Sequence, residues 1–374
     1  MTRKTRLLFV IDNCCYGGGE KTFSLLIRGL PPEKFELFCA SLPRGRFYDE
    51  VKDHCRFLPL DLSNRFDLRS VGRLRALLTE HGIDVAHSQG ARADFYCALA
   101  AAKAGVKSVA TVAMPVEGFD VCPVTKALYS ALSSYAARRN AAAVTITGEL
   151  AERIKGRYRA VELIPNPVDL AEYSPSNFDA APVIEKFGLR GKLALCALGR
   201  LEKQKGFTYL LSALGAAFAK EPELREKLKC LIAGAGSLEA KLKAQAEKEG
   251  VAGSVVFCGE VADARDFLGA ADIFVMPSLL EGQPLALLEA MAMEKPVLAS
   301  DIPGISGTAE GGREALLVPP ADPAALAEGL LKLVHDMPAA LAMGRAARKK
   351  AERFGLPEFV SAHEAFYGRL AGGN

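Results

Sequence analysis

The order of apolar and amphipathic segments is the feature that most constrains how this chain can fold. Short apolar runs such as RLLFVID and AAVTIT alternate with longer segments whose apolar residues recur at helical spacing. A second series of the same kind begins at LALCALGRL and reaches PVLAS. Continuously apolar strands that alternate with helices are typical of parallel sheets covered on both faces. We therefore predict an α/β protein with two doubly wound, Rossmann-like domains that face each other across a cleft.

The segment LIPNPVDLAEYSPSNFDAAPV, residues 163–183, is rich in proline and is the predicted boundary between the two series. We place the first domain at residues 1–170 and the second at residues 171–355. Residues 356–374 are expected to form a C-terminal helix that packs back on the first domain. The length of 374 residues fits two domains, because one hydrophobic core rarely serves so long a chain.

Composition excludes several classes of function. The net charge of +3 is too small for a typical nucleic-acid-binding protein, so we expect no nucleic-acid partner. Nine cysteines without paired spacing and five histidines without ligand spacing predict neither disulfides nor a metal site. This cysteine usage favours a reducing cytoplasm. No segment has the roughly 20 apolar residues of a membrane span, and the start MTRKTRLLFVIDN is interpreted as a first strand.

Residues that follow predicted strands are the candidates for function, because doubly wound folds bind ligands at the carboxyl ends of their strands. Gly17, Gly18 and Gly19 follow the first strand and precede a helix, which is one way to hold a phosphate. A plain strand-to-helix turn is the alternative. Arg200 and Lys205 follow the strand LALCAL and are suited to a diphosphate. Solvated loop cations are the alternative for this pair.

Two carboxylates stand out in SLLEGQPLALLEAMAMEKPV, residues 278–297. Glu281 lies in a turn ahead of a helix that we expect to begin at Pro284. Glu289 lies inside this helix, among leucine, alanine and methionine, where an unpartnered carboxylate is disfavoured. It is therefore either on an exposed helix face or it accepts hydrogen bonds from a partner, and a sugar diol with two hydroxyls is the better explanation. Gly259–Val261 follows another strand, where backbone groups can meet a flat base.

Taken together, these motifs resemble the "glycosyl transferases group 1" family of retaining glycosyltransferases, which have the GT-B fold. The resemblance rests on GGGEK, LIPNPVDLAEYSP, ALGRLEKQKG and above all the Glu-x7-Glu string EGQPLALLE. It covers the second half of the chain closely and the first half loosely. It implies transfer of a sugar from a nucleoside-diphosphate donor, UDP before GDP, to a hydroxyl of an envelope glycan or lipid-linked acceptor.

The resemblance also implies a role for each matching residue. Arg200, Lys205 and Glu281 are the expected catalytic residues, the cations for the departing diphosphate and the glutamate for the donor sugar. Glu289 is expected to accept the ribose hydroxyls. Fixed cations and a helix end replace a metal in this family, so we expect neither a metal nor a cofactor, and no side-chain nucleophile. The expected donor-binding residues are Gly18, Gly19, Gly259, Val261, Gly282, Gln283, Leu285 and Glu289.

On the acceptor side the chain departs from the family pattern. A usual His-x-His after the fourth strand reads HSQ here, and a frequent histidine after the fifth strand is missing from ATVAMP. His87, Gln89 and Met114 are still the expected acceptor-side residues, with a structural role at a strand end as the alternative for His87. The family's Asn-Gly at the linker reads Asn-Pro, and its Gly-Gly-x-Pro-Glu loop reads PGISG.

Two other functions stay open at this point. A catalytically silent nucleotide-sugar-binding subunit is consistent with the missing histidine, and GAGSLE alone is the basis for an NAD(P)-dependent oxidoreductase. The implied acceptors predict a cytoplasmic protein in peripheral contact with the inner membrane leaflet. An ordinary solvated face is the alternative for the basic residues expected at that contact. These residues are Arg65, Arg69, Arg73, Arg75, Arg138 and Arg139.

Overall fold

The structure, a computed structural model, describes the chain in six stretches. They are residues 3–12, 16–64, 67, 69–114, 123–261 and 263–372. The described chain divides into two compact units. Unit 1 contains the residues up to Pro167 together with those from Leu356 onward, and unit 2 runs from Val168 to Gly355. Each unit holds a parallel sheet with helices packed against it.

Unit 1 is built on a sheet of parallel strands. The strands are β1 (Thr5–Ile11), β2 (Phe35–Ser41), β3 (Arg56–Pro59), β4 (Val85–Gln89), β5 (Lys107–Val112), β6 (Ala142–Thr145) and β7 (Val161–Leu163). Their order within the described residues is β3-β2-β1-β4-β5-β6-β7. The helices of unit 1 are α1 (Gly18–Gly29), α2 (Arg46–Val51), α3 (Arg69–Glu80), α4 (Ala91–Ala104), α5 (Pro123–Ala137), α6 (Gly148–Ile154) and, at the end of the chain, α16 (Leu356–Gly372).

Strand β1 is apolar and buried from Leu7 to Ile11, and its packing shows why. Its residues Leu7 and Phe9 pack into a core that also contains side chains of α1 and α16. Leu8 and Val10 point to the other face, where they pack with side chains of α3 and α4. Successive side chains of a strand alternate between faces, so both sets of side chains in the buried part of β1 face a hydrophobic core.

Unit 2 repeats this plan with a second parallel sheet. Its strands are β8 (Leu193–Leu198), β9 (Leu228–Ala233), β10 (Val255–Gly259), β11 (Ile273–Met276), β12 (Val297–Ser300) and β13 (Leu316–Val318). In the part of the chain that is described, their order is β10-β9-β8-β11-β12-β13. The helices are α7 (Ala181–Phe187), α8 (Phe207–Lys220), α9 (Leu224–Lys227), α10 (Glu239–Lys248), α11 (Ala264–Ala270), α12 (Leu285–Ala292), α13 (Pro303–Ser306), α14 (Pro323–His335) and α15 (Met337–Ala351).

In both sheets the strand order reverses beside the first strand of the unit. β1 lies between β2 and β4, and β8 lies between β9 and β11. Such a reversal opens a crevice at the carboxyl ends of the strands, where doubly wound folds bind their ligands. The predicted α/β class with two doubly wound sheets is confirmed. The order also indicates where to look for a site, which is the loops after β1 and β4 and those after β8 and β11.

The arginines of the candidate basic face are only partly described. Arg65 lies outside the described residues, whereas Arg69, Arg73 and Arg75 are exposed on α3. The guanidinium of Arg139 lies over a tyrosine ring, 3.5 Å from its centroid. Exposure of this kind fits an ordinary solvated face as well as a binding surface, so membrane contact stays a prediction. Among the helices of the described residues, none is both long enough and apolar enough to cross a bilayer.

Candidate functional site

At the carboxyl edge of the unit 2 sheet a lysine meets a glutamate. Lys205 ends the 3₁₀ helix Lys203–Lys205, which follows β8, and Glu281 follows β11. The Nζ of Lys205 lies 2.6 Å from Oε1 of Glu281, and the two side chains are only 17% and 8% exposed. The pair is 76 residues apart in sequence and meets because β8 and β11 are neighbours in the sheet. The structure thus brings together two of the residues expected to be catalytic.

Arg200 lies at the same edge, with an exposed side chain just beyond the end of β8. The neighbouring Glu202 accepts hydrogen bonds from the backbone N–H of Ser237, at 3.0 Å, and from its hydroxyl, at 2.8 Å. These hydrogen bonds lower the pKa of Glu202, and the charge of Arg200 lowers it further. Glu202 therefore ties the loop after β9 to the loop that carries Arg200. Sequence reasoning missed this link because its partners are 35 residues apart.

Glycines allow the loops at this edge to pack backbone against backbone. A Cβ atom on Gly206 would lie 1.9 Å from the carbonyl oxygen of Pro277. One on Gly234 would be equally close to a carbonyl oxygen of the loop after β8, and one on Gly304 would lie 2.2 Å from the carbonyl oxygen of Gly282. No side chain larger than hydrogen fits such contacts without backbone movement. The loops after β8, β9, β11 and β12 therefore form one tightly packed layer.

Helix α12 begins directly after the loop that carries Glu281. Its first residue is Leu285, and Pro284 precedes it with an extended backbone, ψ 124°. The prediction that Pro284 is the first helical residue is therefore wrong by one position. The N–H groups of the first turn have no carbonyl partner within the helix and carry the positive end of its dipole. Gln283, just before the helix, is 6% exposed and takes part in contacts with neighbouring groups.

Glu289 lies inside α12 and is only 7% exposed. Its helix neighbours Leu288 and Ala290 belong to a hydrophobic cluster that also contains Met291. The alternative of an exposed helix face is therefore wrong. Glu289 interacts with a neighbouring group, and burial of a carboxylate is costly unless hydrogen bonds compensate it. Its role as acceptor of ribose hydroxyls stays a prediction.

The predicted base-binding segment, Gly259–Val261, begins at the last residue of strand β10. Gly259 has a left-handed backbone, φ +71°, and its carbonyl oxygen accepts a 2.7 Å hydrogen bond from the N–H of Gly234. A Cβ atom on Gly259 would meet none of the described atoms within 4 Å, so there is open space beside it. Val261 is half-buried two residues further on. A flat ring fits such open space beside a fixed backbone. The assignment of Gly259–Val261 to base binding stays a prediction.

The corresponding edge of unit 1 also brings two loops together. Gly18 and Gly19 are the first residues of α1, and the carboxylate of Glu20 accepts a 3.0 Å hydrogen bond from the N–H of Gly17. A Cβ atom on Gly19 would lie 2.8 Å from Nε2 of Gln89, which ends β4. The Oε1 of Gln89 is buried, and no hydrogen-bond partner for it exists in the described part of the chain. The start of α1 and the end of β4 thus meet at the point where the strand order reverses.

His87 is buried inside unit 1, and both nitrogens of its ring are engaged. Nδ1 lies 2.6 Å from the hydroxyl of Tyr367, and Nε2 lies 2.7 Å from the hydroxyl of Thr111. Burial holds the pKa of His87 well below its usual range, with a smaller effect from His363. These contacts tie β4 and β5 to α16 and favour the structural alternative for His87. Met114 lies just past β5 and is half-buried.

Asp94, in the first turn of α4, has an unusual protonation equilibrium. Its Oδ1 is buried and has no hydrogen-bond partner among the described residues. Burial raises the pKa of Asp94 to about 8, the nearby Ser88 opposes this shift, and Asp12 adds to it. The folded-state pKa therefore exceeds the ordinary value of 3.8. The protonated form of Asp94 therefore contributes to the stability of the fold. This contribution is fully present below pH 3.8 and is lost as the pH rises through about 8.

We therefore expect Asp94→Asn, which keeps the shape of the side chain and removes its charge, to gain stability relative to the wild type as the pH rises. The gain between pH 5 and pH 8 should exceed about 1 kcal/mol, measured as free energies of unfolding in urea. Asp53→Asn, at an exposed position after α2, is the matched control and should show no such trend. Parallel stability curves for Asp94→Asn and the wild type would contradict the assignment.

The edge of unit 2 combines groups that suit a phosphorylated, hydroxyl-rich ligand. Lys205, Arg200 and the N–H groups at the start of α12 attract anions. Glu281 and Glu289 are hydrogen-bond acceptors, which suit hydroxyl groups. Within the described ranges, no three His, Cys, Asp or Glu side chains are gathered in a way that could hold a metal ion.

Two sequence families match this chain. Residues 192–336 match the family described as "Glycosyl transferases group 1", and residues 16–172 match "Glycosyltransferase Family 4". The UDP-Gal:alpha-D-GlcNAc-diphosphoundecaprenol alpha-1,3-galactosyltransferase of Escherichia coli is 30% identical over an alignment of 291 residues that covers 74% of this chain and 74% of that protein. The sequence likeness therefore covers both units.

Other proteins share parts of the sequence or the fold. The D-inositol 3-phosphate glycosyltransferase of Streptomyces avermitilis is 33% identical over an alignment of 233 residues that covers 59% of this chain and 50% of that relative. The crystal structure of Anabaena Alr3699/HepE in complex with UDP-glucose has a TM-score of 0.84. It is 19% identical and covers 97% of this chain and 99% of its own. At that identity the likeness shows the fold alone.

Proposed function

The chain belongs to the glycosyl transferases group 1 family, and on this premise we propose that it transfers a sugar from a UDP-sugar to a hydroxyl of an envelope glycan or lipid-linked acceptor. A GDP-sugar is the second choice of donor. The observation that carries the proposal is the contact of Lys205 with Glu281 beside the start of α12. In this contact a cation that suits a diphosphate lies next to a carboxylate that suits sugar hydroxyls, which supports the proposal.

The names of similar proteins support the choice of donor and acceptor. The Escherichia coli relative is named for a UDP-galactose donor and a diphosphoundecaprenol-linked acceptor. The Anabaena protein of similar fold holds UDP-glucose. We therefore rank UDP before GDP and a lipid-linked glycan before a free sugar.

In the proposed reaction, the bond between the anomeric carbon and the donor phosphate oxygen breaks. The acceptor hydroxyl oxygen forms its bond to that carbon on the same face, and a phosphate oxygen of the departing diphosphate takes the acceptor's proton. The configuration is retained, and no side chain acts as a nucleophile. Arg200, Lys205 and the first N–H groups of α12 stabilise the charge that develops on the diphosphate. These groups take the place of a metal ion, and the nucleotide sugar is a substrate rather than a cofactor.

We assign the acceptor side to unit 1, at the edge where Gly19 meets Gln89. The buried Oε1 of Gln89 is a hydrogen-bond acceptor and suits a hydroxyl of the sugar chain. Peripheral contact with the inner membrane leaflet, through the exposed arginines of α3, belongs to the same proposal.

Two substitutions separate nucleotide binding from turnover. Glu289→Ala should weaken binding of UDP about tenfold or more, because hydrogen bonds to the ribose are lost. Glu281→Ala should leave UDP binding within about threefold and lower turnover of the donor at least tenfold, because its partner is the sugar. Calorimetry with UDP and release of UDP from a UDP-sugar measure the two effects. Glu247→Ala, exposed on α10, is the control, and equal, negligible effects at both glutamates would refute the assignment.

A further inference from the structure

Ser278 is a third partner in the contact between Lys205 and Glu281. Its hydroxyl donates a 2.8 Å hydrogen bond to Oε1 of Glu281, the same oxygen that lies 2.6 Å from the lysine Nζ. Ser278 is 1% exposed, so water has little access to its hydroxyl. A hydrogen bond to a charged group is strong where water is excluded. One carboxylate oxygen is therefore held by a hydroxyl and an ammonium at once.

The backbone around these side chains is held in place as well. The N–H of Leu279 donates a 2.7 Å hydrogen bond to the carbonyl oxygen of Gln204, and Gly206 packs directly on the carbonyl of Pro277. These contacts join the loop after β8 to the loop after β11. The stem of Lys205, by contrast, is long and flexible, and its ammonium is a point charge that can turn in several directions. The carboxylate beside it is what fixes the ammonium.

We propose that Ser278 is a positioning residue for sugar transfer, and this inference rests on the proposed function. Its hydroxyl keeps the Glu281 carboxylate in the orientation that fixes the Lys205 ammonium. An ammonium has three N–H donors, so it can retain the glutamate while it binds a phosphate oxygen. The second carboxylate oxygen then faces the donor sugar.

Loss of this hydroxyl acts on the transition state more than on nucleotide binding. Without it the carboxylate can rotate, and both the ammonium and the sugar lose their alignment. Stabilisation of a developing charge depends on groups that are already in place, so misalignment lowers turnover. Binding of UDP also uses Glu289, Arg200 and the start of α12 in the proposed arrangement, and Ser278→Ala removes none of these groups. UDP binding should therefore change much less than turnover.

The test measures release of UDP from a UDP-sugar by the full chain. Ser278→Ala should lower the turnover number about tenfold or more, with the Kd of UDP changed by less than about twofold. Ser278→Thr keeps the hydroxyl and should restore most of the turnover. Ser278→Cys keeps a side chain of similar size but has only a weak hydrogen-bond donor, so it should lower turnover as much as Ser278→Ala does. If Ser278→Ala fails to fold, Ser278→Cys takes its place in the test.

A matched control removes another buried hydroxyl of unit 2. Ser254 is 1% exposed, and its hydroxyl donates a 2.9 Å hydrogen bond to the carbonyl oxygen of Arg225, away from the loops of the site. Ser254→Ala should leave turnover unchanged. A loss at Ser254→Ala as large as that at Ser278→Ala would overturn the positioning role, because any buried hydroxyl would then have the same effect.

Coupling to Glu281 separates positioning from a merely structural effect. In the Glu281→Ala background, Ser278→Ala should have no further effect, because its action passes through that carboxylate. An equal loss in both backgrounds, or wild-type turnover in Ser278→Ala, would overturn the inference. A wild-type chain that neither binds UDP nor turns over any nucleotide sugar would instead refute the proposed function itself.

Discussion

Lys205→Met should lower turnover of the donor sugar about a hundredfold to a thousandfold, which is the loss typical when one fixed group for a developing charge is removed. Methionine keeps an unbranched stem beside Gly199 and removes the ammonium that lies 2.6 Å from Glu281. The departing diphosphate then loses a cation in a half-buried site, where charges interact more strongly than in water. The substitution also leaves the Glu281 carboxylate, 8% exposed, without its ion-pair partner.

Release of UDP from a UDP-sugar measures this effect, and melting temperatures show whether the variant folds. Lys203→Met is the matched control, because Lys203 lies in the same 3₁₀ helix but is exposed. We expect it to retain nearly all turnover. Comparable activity in the two methionine variants would mean that the ion pair with Glu281 plays no part in catalysis.

Gly206→Ala should destabilise unit 2 by about 2–5 kcal/mol. Gly206 has φ +69°, in the left-handed region, which costs a residue with a Cβ about 1–2 kcal/mol. The new methyl group would also lie 1.9 Å from the carbonyl oxygen of Pro277, and relief of such overpacking costs typically another 1–3 kcal/mol. Because the same contact joins the loops of Lys205 and Glu281, turnover should fall together with stability.

Urea unfolding of the full chain measures the change in free energy, with Gly253→Ala as the matched control. A Cβ atom on Gly253 would meet no described atom within 4 Å, and its turn lies in the same unit. We expect that control to stay within about 0.5 kcal/mol of the wild type, as surface substitutions usually do. If Gly206→Ala were equally mild, the close packing of the two loops would be wrong.

The fold class follows from the sequence because burial on both faces leaves a visible pattern. β8 is apolar throughout and β1 is apolar from Leu7 to Ile11, since helices cover both sides of their sheets. The strands β3 and β7 cannot be recognised in the sequence, because segments of four and three residues are too short to show the hydrophobic periodicity of a strand. The burial of Glu289 was partly foreseeable, since the residues around it in LALLEAMAM are apolar on every side of the helix.

The contacts within the site depend on strand order, which a single sequence does not contain. Lys205 meets Glu281 across 76 residues only because β8 and β11 are neighbours. Ser278 lies three residues before Glu281, yet nothing in the sequence shows that it donates a hydrogen bond to the same carboxylate oxygen as that lysine. His87 is a further case, since its partner Tyr367 lies 280 residues away on α16. Its residue type suggests a ligand-binding side chain, whereas in the structure both of its ring nitrogens contact hydroxyl groups inside unit 1.

The most direct test of the central claim is release of UDP from a panel of UDP-sugars without acceptor, with GDP-sugars in parallel. We expect one UDP-sugar to raise the melting temperature and to be hydrolysed slowly, and Lys205→Met to slow this hydrolysis about a hundredfold or more. Binding without any release in the wild type would point to a nucleotide-sugar-binding subunit without activity. If no nucleotide sugar stabilises the chain and none is turned over, the proposed glycosyl transfer is contradicted.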